Sequence, residues 1–212
     1  MCSGRVDMAF VLRAFANGAD GVFVGGCWLG ECHYVTEGNY DALSMMHLSR
    51  KILEQVGVNP ERLRLEWISG SEGMRYAEVM NDFGKKLKEL GPIGTGEGLD
   101  KSALKLKFEA VRKILPYLKL VERERLRVRF KSEEEYNEFF SSDEVNRLIR
   151  DVIADKLAIS QITTLLRQNP LSTREISDSL QINPAEVSRY LNSTSRQGLV
   201  RYDESQKRYA IA

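Results

Sequence analysis

The sequence has no apolar run approaching the ~18 residues that read as a bilayer span, and its opening MCSGRVDMAF lacks the basic and apolar regions of a signal peptide. A cytoplasmic protein with no membrane partner is therefore expected. Charge of one sign is also missing: 31 Lys and Arg stand against 30 Asp and Glu, a formal net charge of +1, so neither a strongly basic nucleic-acid surface nor an acidic tail is present. Any charged partner must be met locally. Histidine is confined to His33 and His47, and no general base is paired with a cysteine by visible spacing, which argues against a nucleophilic-cysteine enzyme. Only three cysteines occur, an odd number. In a reducing compartment a metal or redox role suits them better than a disulfide framework. What the chain does have, 42% hydrophobic and 29% charged residues over 212 positions, is the composition of a globular protein with room for two domains.

Periodicity places the elements. Val6 to Asn17 carries Phe10, Val11, Ala14 and Phe15 on a helical stripe, with Gly18 as its C-terminal stop. GVFVGG follows as a short buried strand. From about Asn39 the spacing of Leu43, Met46, Leu48, Ile52 and Leu53 returns to helix, ended by Gly57 and Pro60. RLRLEWIS alternates Leu63, Leu65 and Trp67 with polar neighbours, as a strand does. A third helix is expected from about Ser71 to Leu90, with Tyr76, Val79, Met80, Phe83 and Leu87 on one face and Gly91-Pro92 as its stop. Helices alternating with strands describe parallel α/β crossovers.

Crossovers of this kind are right-handed, so every loop leaving a strand emerges at one edge, where ligands bind. Cys27 and Cys32 sit on such a loop. SGSEG, residues 69–73, leaves the next strand, and Ser69 with Glu72 has the spacing of a capping box. The two loops are expected to meet. Cys2 precedes the first helix, where a preceding strand would end. Two strands are few for an open α/β sheet, so an amino-terminal strand and helix are expected upstream of Met1, lost through a mis-assigned start or an upstream selenocysteine codon read as a stop. Taken singly, a free cysteine is often a small buried apolar residue, but grouping at one edge favours ligation. Gly25 and Gly26 would let backbone approach a bulky ligand or simply punctuate a turn. Trp28 either shields a ligand or anchors its own loop. His33, beside Cys32, is expected to be a polar loop residue, though it could tune or replace a thiolate, and His47 to be structural.

CSGRVD, GADGVFVGGCWLGECHY, EGNYDAL, RLRLEWISGSEGMRYAEVMNDF and KELGP, in this order over about the first ninety-three residues, resemble the delta, iron-sulfur subunit of methyl-viologen-reducing hydrogenase. That resemblance implies a [2Fe-2S] cluster relaying electrons from a hydrogenase or formate dehydrogenase to the flavin subunit of heterodisulfide reductase. It implies Cys2, Cys27 and Cys32 as cofactor-binding metal ligands, with at least one further ligand from elsewhere, because such a cluster takes four. Members of that family begin with a strand ending in a Cys-x-x-Cys-like motif, which this sequence lacks. Trp28, Leu29, Tyr34 and Val35 are the expected partner contacts.

Beyond Pro92 the character changes. IGTGEGLD, residues 93–100, reads as a flexible linker. SALKLKFEAVRKILPYL reads as an amphipathic helix broken at Pro116, and ERLRVRF as a strand with its arginines facing water. SEEEYNEFFSSDEVNRLIRDVI opens with acidic residues that suit a helix N-terminus. From Leu157, three helices with Ser172 or Thr173 and Pro184 at their starts, then two strands around ESQ, make a winged-helix layout. The expected fold is thus an α/β N-terminal domain with a parallel sheet incomplete at its start, plus a mostly α winged-helix C-terminal domain. Its parts are residues 1–92, a linker 93–100, a helical connection 101–156 and the winged helix 157–212. Ser188, Arg189, Asn192, Ser193 and Arg196, with Lys207 and Arg208 on the wing, could meet nucleic acid. Glu186, Asp203 and Glu204 oppose it, so protein docking or a homodimer through the winged helix is the preferred use. Two functions follow: an electron-transfer subunit without catalysis of its own, or a redox-responsive DNA-binding regulator.

Overall fold

A computed structural model describes residues 2–35 and 37–212. Strands β1 (Val22–Gly26) and β2 (Leu63–Trp67) pair in parallel, Val22 opposite Leu63 and Gly26 opposite Trp67. Parallel neighbours need a crossover, and helix α2 (Asn39–Gln55) supplies it. Helix α1 (Met8–Ala16) comes before β1; the Asp7 side chain caps it by accepting the Ala9 N–H at 2.8 Å. The buried stripe of α1 is Met8, Val11, Leu12 and Phe15, one helical face at i, i+3, i+4 and i+7. Phe10 falls off that face and is 55% exposed, contrary to the sequence expectation. Helix α3 (Gly73–Leu90) buries Val79 and Phe83, while Tyr76 is half exposed and stands edge-on to Phe23.

Residues 93–100 form a clasp instead of a free tether. Arg62, fully buried, donates to Glu97 Oε1 at 2.6 Å and to the carbonyls of Asp20, Leu90 and Gly91. One guanidinium thus ties the approach to β1, the end of α3 and a short 3-10 turn, Thr95–Glu97, to the foot of β2. Helix α4 (Lys101–Val121) runs unbroken through Pro116. That proline lies on the exposed side, so the Arg112 carbonyl left without its helical donor faces water. The strand expected over residues 124–130 does not form. Glu122–Leu126 continues as a π-helical turn, Leu126 is buried, and the extended residues after it pair with no strand. Arg127 and Arg129 reach Glu37 at 3.7 and 2.9 Å.

Helices α5 (Glu133–Ser141) and α6 (Asp143–Leu148) meet at Ser142, whose side chain caps the second. A π-helical stretch leads from α6 into α7 (Asp155–Leu166). Helix α8 (Thr173–Leu180) starts with Ser172 and Glu175 in a capping box; α9 (Pro184–Arg196) starts with Asn183 as cap and Pro184 in the first turn. Strands β3 (Val200–Asp203) and β4 (Arg208–Ile211) form an antiparallel hairpin, and Leu171 bridges to Tyr209. This is the winged-helix arrangement the spacing predicts.

The buried apolar side chains divide into two clusters. One runs from Met8 to Leu157 and holds both the β1/β2 unit and α4 to α6; the other joins α7, α8, α9 and β3 and takes Leu106 from α4. Helix α4 therefore serves both. Polar bonds sew it to α7: Lys113 Nζ to Thr164 Oγ1 at 2.8 Å, and Ser160 Oγ to the Ala110 carbonyl at 2.9 Å. Among the described residues no helix is long and apolar enough to cross a membrane.

Candidate functional site

The parallel topology brings three distant thiols to one edge. Cys2 leads into a 3-10 turn, Ser3–Arg5, Cys27 follows β1 directly, and Cys32 lies in the loop before α2. Cys2 Sγ and Cys32 Sγ are 3.6 Å apart, and the Cys27 thiol interacts with both. All three are free, with Cys32 buried and the others partly so. Burial pushes the Cys32 thiol up, but the backbone amides of Asn39 and Tyr34 and the two neighbouring thiols outweigh it, so its pKa falls below the ordinary value. Cys27 goes the other way, raised by burial, by its hydrogen bond with Cys32 and by the charges of Cys32 and Cys2. The lowered thiol, Cys32, is the one against the N-terminus of α2.

Glycine makes the cradle. Gly38 has φ +60°, and a Cβ there would stand 2.5 Å from Cys32 Sγ and 3.1 Å from Cys2 Sγ. A Cβ on Gly4 would strike the backbone of Gly38, so the two glycines let the Cys2 and Cys32 segments touch. Gly26, which the sequence offered as room for a ligand, is filled by packing: its missing Cβ would lie 2.8 Å from Ser3 Oγ and 2.9 Å from the Trp67 ring.

Trp28 is a loop anchor. Its Nε1 donates to Glu72 Oε2 at 2.7 Å and the Arg75 guanidinium lies 4.9 Å from its ring centre. Glu72 also accepts the Ser69 N–H at 2.6 Å, so the two strand-exit loops do meet. Only half of the expected capping box is present, because Ser69 Oγ turns to Ser71 Oγ instead. Leu29 packs against the core, whereas Tyr34 and Val35 are 55% and 68% exposed. His33 is exposed, edge-on to Tyr34; His47 stacks on Phe140 at 4.8 Å, and burial, with Arg50 and Lys51, lowers its pKa to about 4.

Sequence reasoning missed Asn39. Fully buried at the first turn of α2, it donates from Nδ2 to the carbonyls of Cys27 and Trp28 at 3.0 and 2.9 Å. Nothing in its sequence position marks it beyond the preceding Gly38, because the bonds span eleven and twelve residues. Among the described residues Asn39 Oδ1 and Ser3 Oγ are buried without a hydrogen-bond partner, one in the residue that holds the cysteine loop and one beside Cys2. Soft thiols and a glycine cradle suit an iron-sulfur group in chemistry, and Cys2, Cys27 and Cys32 would supply three of its four ligands. Among the described residues no set of three His, Cys, Asp or Glu closes into an ion-holding group.

In the winged helix, two of the cations that could meet phosphate are already engaged. Arg189 contacts Asp155 at 3.2 Å and the Tyr190 hydroxyl at 2.9 Å, and Tyr190 donates to Asp155 at 2.7 Å. Arg208 pairs with Glu175 at 2.7 Å. Asn192 and Arg196 are exposed, while Ser188 and Ser193 are half-buried.

A parallel α/β unit that gathers thiols where its strands end, extended by a winged helix, defines a thiol-edged α/β protein with a helical tail. The chain belongs to the methyl-viologen-reducing hydrogenase delta subunit family, whose description matches residues 1–91. It is 58% identical over 92 residues to an iron-sulfur subunit of the F420-non-reducing hydrogenase of Archaeoglobus profundus, covering 43% of this chain and 66% of that one. To the vhc iron-sulfur subunit of the F420-non-reducing hydrogenase of Methanococcus voltae it is 45% identical over 101 residues, 48% of this chain and 69% of the relative. A subunit of the ferredoxin/F(420)H(2)-dependent CoB-CoM heterodisulfide reductase of Methanosarcina acetivorans is 48% identical over 95 residues, 45% of this chain, but the match spans only 12% of that protein's length. Residues 160–202 match the bacterial regulatory protein arsR family.

Proposed function

We propose that this chain is a non-catalytic electron-transfer subunit in which Cys2, Cys27 and Cys32 hold a [2Fe-2S] cluster whose remaining ligand comes from outside the trio. Its electrons would pass from a hydrogenase or formate dehydrogenase to the flavin subunit of heterodisulfide reductase. The observation that carries this reading is the convergence of the three thiols around Gly38, with Cys2 and Cys32, thirty residues apart, at 3.6 Å. One relative is named as an iron-sulfur subunit of a hydrogenase and another as a subunit of heterodisulfide reductase, which supports hydrogenase and heterodisulfide reductase as the partners.

When bound, the cluster supplies one-electron chemistry. The chain's own residues do the rest. The backbone amides that lower the Cys32 pKa favour its thiolate, the form that binds metal. Trp28, held by Glu72 and Arg75, anchors the loop that carries Cys27 and Cys32. Tyr34 and Val35 leave an exposed apolar rim, and a cavity of about 410 Å³ beside Cys2, lined by Tyr34, Arg5, Glu37 and Asp41, gives a partner access to the thiol edge. Changing Cys27 or Cys32 to serine should remove the iron and the visible absorption of the anaerobically purified protein without unfolding the tail. Unaltered iron content in both variants would sink the assignment.

One observation favours a second reading, a redox-responsive regulator: the likeness of residues 160–202 to a regulatory family. It ranks second because Arg189 and Arg208 are neutralised within the fold.

A further inference from the structure

We infer that Asn39 is a positioning residue that sets the spacing between Cys27 and Cys32; the inference rests on the electron-transfer reading above for its purpose, though not for its geometry. Asn39 touches both halves of the thiol group. Its side-chain Nδ2 holds the carbonyls of Cys27 and Trp28, and its backbone N–H lies beside the Cys32 sulfur. Both hydrogens of the amide are used, each on a successive carbonyl. That leaves no ambiguity about its orientation, because the flipped amide would set its oxygen against two other acceptors.

The anchor point is rigid. Asn39 is the first residue of the seventeen-residue α2, and Ala42, Leu43, Met45 and Met46, immediately after it, are buried. A loop carbonyl bonded to it is therefore referenced to the helix and not to the loop's own conformation. The same loop is held separately by Trp28 on Glu72, whereas Asn39 couples the Cys27 main chain to the Cys32 side. Among the described residues its Oδ1 is buried without a partner, an unfavourable placement that a purely space-filling residue would avoid. An aspartate has the same shape and suits a helix start, but it has no hydrogens for the two carbonyls. Donor capacity and volume can therefore be tested apart.

The experiment uses the full chain, first without iron and then after anaerobic incubation with ferrous iron and sulfide. Alkylation of each cysteine by iodoacetamide is followed by mass spectrometry in the wild type, Asn39→Ala and Asn39→Asp. Releasing two buried hydrogen bonds should speed alkylation of Cys27 by about tenfold in both variants while Cys2 is little changed. Iron retention should fall, and the visible circular dichroism of what remains should differ from the wild type. General loosening would instead speed all three thiols together and would overturn a positioning role, as would folded variants with wild-type alkylation and spectrum. If Asn39→Ala does not fold, Asn39→Ser keeps a helix-start hydroxyl and is read in the same way. A wild-type chain that takes up no iron at all would count against the electron-transfer reading, while the alkylation comparison would still decide the role of Asn39.

Discussion

The α/β unit and the winged helix use polar groups differently. In the α/β unit the polar atoms are buried and directed at backbone: at the cysteine edge Asn39 holds two loop carbonyls, with Ser3 Oγ and Asn39 Oδ1 unpartnered among the described residues, and at the opposite end of the strands Arg62 holds three carbonyls and a carboxylate. In the winged helix buried Ser177 and Thr194 also donate to carbonyls, but the arginines are exposed and satisfied by carboxylates, Arg189 by Asp155 and Arg208 by Glu175. Buried donors that fix main chain describe a rigid frame. Exposed charges that cancel describe a surface with little net field of its own. The difference is what the proposed division of labour, ligand holding in the first region and assembly in the second, rests on.

The largest effect that can break this contrast is removal of Arg62. Its side chain is fully buried, and deleting it leaves Glu97 and three carbonyls without their donor, which costs about 3–5 kcal/mol. Thermal or urea unfolding of Arg62→Ala should show that loss, with hydrogen exchange rising first in β1, β2 and residues 93–100. Equal loosening of α8 and α9 would mean that the two regions do not differ as described.

Acid should separate them next. The folded-state pKa of His47 is lowered to about 4 by burial, with Arg50 and Lys51 adding to it, against about 6.5 in the unfolded chain. Between those values the unfolded chain binds the extra proton, so stability is complete above about pH 6.5 and falls as pH drops toward 4. His47→Gln should flatten this limb in unfolding midpoints measured from about pH 7 to about pH 4. An unchanged slope would show that His47 does not set it.

A smaller test sits in the tail. Ser172 accepts the Glu175 N–H, and Glu175 accepts from the Ser172 N–H and hydroxyl. Ser172→Ala should cost about 1 kcal/mol, read in the unfolding midpoint, with iron content unchanged.

These pairings also explain what could be read from the sequence. The tail was legible because each helix carries its own start signal within a few residues: Ser172 with Glu175, and Asn183 with Pro184. The gathering of Cys2, Cys27 and Cys32 was legible because parallel crossovers put all strand exits on one edge. Contacts between distant residues were not. Arg62 and Glu97 are thirty-five positions apart, and the alternation in residues 124–130 reads as a strand until Arg127 and Arg129 are seen to reach Glu37. Pro116 misleads for a different reason: the break it signals matters only where the orphaned carbonyl is buried, and here it is not.

The smallest expected effect is the most discriminating between the two functional readings. Arg189 and Arg196 are the cations of α9, the helix that would enter a major groove, but Arg189 is engaged by Asp155 and Tyr190 within its own fold. Opening that pair to reach a phosphate would give up one charge contact for another, so little affinity is gained from it. Replacing both arginines by alanine should leave electron transfer between the partner enzymes near wild type. Any nucleic-acid binding should be weak and without a preferred site. A regulator would behave otherwise: tight binding to one sequence at physiological salt, a dependence on the redox state of the thiol edge, and a salt slope that falls by about one for each arginine removed. Gel shifts with the upstream DNA of its own gene, under oxidising and reducing conditions, read all three. Tight, sequence-specific, redox-dependent shifts would reverse the order of the two readings and make the winged helix the output of the cysteine edge instead of its scaffold.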